Sequence, residues 1–256
     1  MATTRTRGTV VTNTYAPAAA APNGAPFLPH EALYRLLAWS SPGYPTGAFS
    51  YSHGLEWAVE AGSVTNLRSL LAYVTAVLSR GGGWVDAVLF AHAWRATSDT
   101  ALATLTDLAT LAAAFRGSCE TALESRQQGA AFLDVTRKAW PHPTLEALAQ
   151  RSATTNTPIA HCIAVGVTCA AHGIALEAAL HAYLHAVAAN LVSAGARLIP
   201  LGQTQAQIAI AQLSPTLASI IDRALSTPLD DLGTAAPAIE ICSLRHETQY
   251  TRLFRS

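Results

Sequence analysis

A chain of 256 residues is long enough to bury a sizeable core, in one large or two small domains. It carries 16 basic and 16 acidic residues, a formal net charge of +0, so it offers no overall basic field to nucleic acid or to an acidic membrane. Only 12% of the residues are charged against 50% hydrophobic, about half the usual charged share; so few charges predict a large buried protein interface and a homodimer.

Residues 1–26 are rich in Thr, Ala and Pro, with Arg5 and Arg7 their only charges. They lack the apolar run of a secretory signal and are expected to form a disordered extension. From Pro29 onward apolar residues recur at helical spacing, and no stretch alternates with period two for long enough to force a strand. Periodicity and breakers predict helices over Pro29–Trp39, Ser52–Ala61, Leu67–Ser79, Trp84–Thr97, Ala101–Phe115, Ser118–Lys138, Leu145–Ser152, Pro158–Ala171, Leu176–Ile199, Thr204–Leu213 and Pro215–Leu225. Thr157 is expected to cap the helix that begins at Pro158, and Gly173 to end it. No segment has the composition of a linker, which predicts an all-α, single-domain bundle of roughly ten helices over residues 27–226, followed by a tail at 227–256.

The first two helices are joined by Ser41-Pro42-Gly43-Tyr44-Pro45-Thr46-Gly47-Ala48-Phe49-Ser50-Tyr51-Ser52-His53-Gly54-Leu55-Glu56. Its prolines and glycines exclude a continuous helix, while its rings and hydroxyls give it the means to pack. Tyr44, Gly47, Phe49, Ser50, Tyr51, His53 and Glu56 are therefore candidate recognition residues, in a structural corner or a docking loop. The glycines lack phosphate-loop spacing, and Ser50, Ser52 and His53 have no evident acid partner in the stretch.

Two stretches, between Arg151 and Glu177 and between Glu177 and Arg197, contain no Asp, Glu, Lys or Arg and are long enough to cross a bilayer. A helical membrane protein is thus one alternative. Asn156, His161, His172, His181, His185, Asn190 and Ser193 would be costly against lipid, and central helices of a bundle account for the pattern better. A metal-dependent enzyme is another alternative. His181 and His185 share a helix face, but Ala182, Tyr183 and Leu184 between them lack the glutamate of a zinc motif, and no third ligand is evident. No metal residue and no catalytic residue is assigned.

Asn190, Ser193 and Arg197 form a polar stripe on an apolar helix, continued by Gln203 at the next corner. A buried arginine there would require an acid or several carbonyls. At the far end, Tyr250, Leu253 and Phe254 fall at helical spacing among Arg245, Arg252 and Arg255, which suits a segment ordered on a partner or docked on its own domain. Cys119, Cys162, Cys169 and Cys242 are scattered without metal-type spacing, which fits a reduced, cytoplasmic compartment. Cys162 and Cys169 lie about 10 Å apart along one helix, too far for a disulfide, and are expected in the core.

Four segments closely resemble the urease accessory protein F family: Ser41–Glu56; Glu124-Ser125-Arg126-Gln127-Gln128-Gly129; His161 with Asn190–Ala194 and Arg197–Thr204; and Asp231-Leu232-Gly233 with Arg245–Ser256. They extend the likeness from about Leu33 to Ser256; Cys162-Ile163-Ala164 departs from the family pattern, and residues 1–26 have no counterpart. The resemblance implies a dimeric scaffold without catalysis of its own, bridging a nickel-carrying GTPase, UreG, to UreD on apo-urease. It further implies that the tail residues Arg245, Tyr250, Arg252, Leu253, Phe254 and Arg255 meet the D-type partner, with nickel in transit and no cofactor held stably.

Overall fold

The computed structural model describes residues 28–99 and 101–256; the extension expected at 1–26 lies outside the described residues. The described chain forms one all-α domain without strands: α1 (His30–Trp39), α2 (Leu55–Glu60), α3 (Leu67–Arg80), α4 (Gly82–Ser98), α5 (Leu102–Ala114), α6 (Cys119–Ala139), α7 (Pro143–Thr155), α8 (His161–Ala171), α9 (Leu176–Leu198), α10 (Gln203–Ser226) and α11 (Pro237–His246). Among the described residues no helix is long and apolar enough to cross a membrane.

Local chemistry sets most boundaries. Asn66 caps α3, its side chain accepting from the Ser69 N–H at 3.1 Å while Ser69 Oγ accepts from the Asn66 N–H at 3.1 Å. Ser118 and Thr121 form the same device at α6. His142 Nδ1 accepts from the Thr144 N–H at the start of α7, where Pro143 takes the first helical position.

The centre of the domain is the packing of α8 on α4, with α6 and α9 on the other sides of α8. Both central helices are buried nearly all round: α4 by Val85, Val88, Leu89 and Phe90, α8 by Cys162, Ile163, Val167 and Cys169. This is why the latter shows no amphipathic stripe. Gly166 permits the contact, since a Cβ there would lie 2.9 Å from the Phe90 carbonyl oxygen.

Several expected boundaries move. α2 begins at Leu55 rather than Ser52, because His53 and Gly54 take left-handed conformations (φ +54° and +74°). Thr157 does not cap α8, which starts at His161: α7 runs on to Thr155, Asn156 turns it off at φ +50°, and Thr157–Ala160 is non-helical, with Ala160 extended. Gly173 does end α8, at φ +67°. Of Gly81-Gly82-Gly83 only Gly81 lies between helices.

The two helices expected on either side of Ser214 are one, α10, with Pro215 inside it. Pro215 leaves the Ala211 carbonyl without its helical N–H partner. Both residues are exposed, so water can serve that oxygen, while Leu213, Leu217, Ile220 and Ile221 hold the helix on the core. The expected tail contains α11, which packs on α2, α3 and α6.

Candidate functional site

The loop, the polar stripe and the C-terminal segment meet at one place. Tyr44 anchors the front of the loop, its ring 5.3 Å from Phe132 and its hydroxyl 2.7 Å from Thr136 Oγ1. Gly47, at φ +76°, opens a 3-10 turn over Ala48–Ser50 that leaves Phe49 66% exposed and turns Tyr51 into the core. The Tyr51 hydroxyl donates to Gln127 on α6 at 2.6 Å, and its carbonyl accepts from Asn190 on α9 at 3.2 Å. Arg197 donates to the Phe49 carbonyl at 2.9 Å and holds its guanidinium 4.4 Å from the Phe254 ring centre. The loop is thus clamped by two elements far away in sequence.

Arg197 is exposed and uses carbonyls and a ring, not a buried acid. Of the stripe, Asn190 is the half-buried member that bonds inward, onto the Tyr51 carbonyl. Ser193 contributes its carbonyl to Arg197 and is itself exposed, as is Gln203 at the first position of α10.

The C-terminal segment is drawn in rather than helical beyond His246. Glu56 organises it. Its carboxylate accepts from the backbone N–H groups of Leu253 (2.6 Å) and Phe254 (2.9 Å), and its Oε2 lies 3.0 Å from Nε2 of the buried His246. His246 Nδ1 lies 2.6 Å from Glu120, which also pairs with Arg252 at 2.7 Å. The Arg255 N–H donates to the Ser50 carbonyl at 2.7 Å, the Ser52 N–H and hydroxyl both donate to the Ser256 carbonyl, and Ser256 Oγ donates to Glu124 at 2.9 Å. α11 rests on Gly54, where a Cβ would stand 2.6 Å from the Ser243 nitrogen.

This geometry splits the apolar strip expected of Tyr250, Leu253 and Phe254. Phe254 is 3% exposed, whereas Tyr250 and Leu253 face solvent, as do Arg245, Arg252 and Arg255. A turn, not a helix, sets which side chains point outward. Ile241 and Leu244 on α11 are exposed as well.

Beneath the loop lies a polar cavity of about 30 Å³ lined by His53, Asp86, Arg116, Glu124, Gln128, His161 and Tyr183, large enough for a water molecule. Arg116 pairs with Asp86, which also accepts from the Tyr183 hydroxyl at 3.1 Å. Burial alone would lower the Arg116 pKa, but Asp86 outweighs it and raises it. Asp86 and Arg116 escaped the sequence reasoning. A signal was present, since Asp86 is the lone Asp, Glu, Lys or Arg in the run Gly81–Trp94, but its partner is 30 residues away on the approach to another helix. Among the described residues no group of three or more His, Cys, Asp or Glu is placed to hold a metal ion.

The two cavity histidines are tuned in opposite directions. Burial would lower His53, but Glu124, 3.0 Å away, and then Asp86 raise it above its ordinary value. Burial lowers His161 to about 4, against the opposing pull of Asp86 and Glu124. The His53 contribution to stability is therefore complete below about pH 6.5 and lost as pH rises through its raised folded value; that of neutral His161 is present above about 6.5 and lost as pH falls through about 4. His161→Phe keeps the ring between Phe132 and Tyr183 but removes the titration. Between pH 7 and 5 its stability relative to the parent is expected to improve by about 2 kcal/mol. Urea unfolding at the two pH values measures this, and parallel losses in both proteins would contradict it.

The family model UreF matches residues 64–214 of the chain. The urease accessory protein UreF of Rhodopseudomonas palustris (strain TIE-1) is 52% identical over 225 residues, 88% of this chain and 92% of the relative. The protein of the same name from Granulibacter bethesdensis is 53% identical over 225 residues, 88% and 94% of the two chains, and that from Bradyrhizobium diazoefficiens is 49% identical over 225 residues, 88% and 92%.

Proposed function

The chain belongs to the UreF family of urease accessory proteins, and from that premise we propose that it is a non-catalytic, cytoplasmic scaffold that joins the GTPase UreG to UreD on apo-urease while nickel is delivered. The reading rests above all on the locked C-terminal segment, which leaves Tyr250 and Leu253 exposed together with Arg252 and Arg255; Phe49 on the loop and Ile241 and Leu244 on α11 are exposed as well. Tyrosine and arginine around an apolar centre make an effective protein-docking surface. A partner groove with an apolar floor and an acidic rim complements it, and the D-type protein is the proposed occupant. Nickel is cargo in this scheme, held by the assembly and not as a resident cofactor.

Self-association is the second element of the proposal. Leu33, Tyr34 and Leu37 on α1 are exposed, and with so few surface charges they favour a homodimer burying more than about 1,200 Å².

The test is co-purification of the full chain with UreD and UreG, with and without GTP, beside a Tyr250→Ala/Leu253→Asp variant. Both side chains are exposed, so the variant is expected to melt like the parent, to retain its dimer mass in light scattering and to lose UreD. A variant that still captures UreD moves the docking surface elsewhere, and a monomeric parent removes the dimer from the scheme.

A further inference from the structure

His181 and His185 take no part in the loop, the C-terminal segment locked onto it, or the cavity. Both are exposed on α9, four residues apart in an unbroken helix, where side chains stand over one another about 5–6 Å apart at Cβ. Among the described residues neither imidazole makes a hydrogen bond or an ion pair, so both keep a nitrogen lone pair available. They lie on the wall of an open groove of about 1100 Å³ between α1, α9 and α10, with Glu177 one turn before His181 adding negative charge. The rest of the groove is largely apolar, with Leu33, Leu36, Leu37 and Leu217 on its walls.

We infer that His181 and His185 together chelate one divalent first-row transition cation of the class that imidazole binds, nickel or copper, at the edge of this groove. A closed structural site or a catalytic site needs three or four protein ligands. Two imidazoles on consecutive turns instead make an open, exchangeable site, with the remaining coordination positions left to water or to a donor from another molecule. Imidazole selects Zn, Cu, Fe and Ni over Mg and Ca, and affinity rises from Ni to Cu. The chelate is a property of one helix face and holds whether or not the chain acts on urease.

The experiment titrates untagged full-length protein with Ni²⁺ by calorimetry, and with Cu²⁺ under electron paramagnetic resonance. One ion per chain is expected, tighter for Cu²⁺, with a copper spectrum split by two nitrogens. His181→Ala and His185→Ala should each weaken binding about a hundredfold, since either one removes the chelate, with the helical circular dichroism unchanged. Binding that survives the double replacement overturns the assignment. So does loss on replacing only one of the two histidines, which would mean a single imidazole rather than a chelate, or failure of the parent to bind roughly millimolar Ni²⁺.

Discussion

Replacing Glu56 with alanine is expected to cost about 3–5 kcal/mol of stability, since it strands several donors at about 1–3 kcal/mol for each one left buried and unpaired. Its carboxylate is 9% exposed, and it is the common acceptor for His246 and the Leu253 and Phe254 amides. Without it, two backbone N–H groups and one imidazole nitrogen lose their acceptor together, and burying them unpaired is unfavourable. The C-terminal segment should leave the loop, taking Phe254 from beneath Arg197. Melting should fall by about 2–4 °C per kcal/mol for a chain of this size, and the amides of Leu253 and Phe254 should lose protection from hydrogen exchange. Glu56→Gln keeps one acceptor oxygen and is expected to lose less. An alanine variant with the parent's melting point and protected amides would show that the latch holds without this carboxylate. Because UreD is proposed to dock on the latched segment, the same variant should lose UreD at temperatures where its core is still folded.

The second large effect is expected in the cavity. Arg116→Ala leaves the Asp86 carboxylate buried without its cation, held by neutral donors such as the Tyr183 hydroxyl, a loss of about 3–5 kcal/mol. The informative companion is Asp86→Leu/Arg116→Met, which replaces the pair by apolar groups of comparable bulk. Such replacements are often neutral in stability, so the double variant should recover most of the loss in denaturant titration. If it does not, the ion pair itself stabilises the fold, beyond what its geometry and desolvation predict.

The helices were legible because burial of one face imposes a 3.6-residue period, and α3, α4 and α9 lie within about three residues of where that period puts them. Proline misled in both directions. Pro215 read as a break, but its freed carbonyl faces water and the neighbouring leucines keep the helix in place. Pro158 read as a helix start, but the chain there is non-helical and packs against α6, where a Cβ on Gly129 would collide with the Ile159 carbonyl oxygen. Both outcomes depend on tertiary surroundings that local propensity does not encode.

The loop, Asn190, Arg197 and the C-terminal arginines were visible as residues, but their convergence was not, since each belongs to a different segment. The outward turn of Tyr250 and the inward turn of Phe254 were hidden for a related reason. They follow from two backbone N–H groups bonding to Glu56, nearly two hundred residues earlier in the chain. The Asp86–Arg116 pair was hidden similarly, since a charge in an apolar run announces that it has a partner without saying which.

Glu56 and His246 are separated by 190 residues. At ribosomal speeds of about 5–20 residues per second, roughly 10–40 s pass between the emergence of the two. Throughout that interval the Ser41–Glu56 loop has half of its clamp, from α6 and α9 as they arrive, and the other half does not yet exist. The nascent protein therefore passes through a long-lived stage in which most of the bundle can fold while the Glu56 and Glu124 carboxylates lack their C-terminal partners. Closure of the latch becomes a late quality check on synthesis: a ribosome that stalls before α11 releases a helical body with an open loop, distinguishable from the finished molecule by any protein that reads the C-terminal segment.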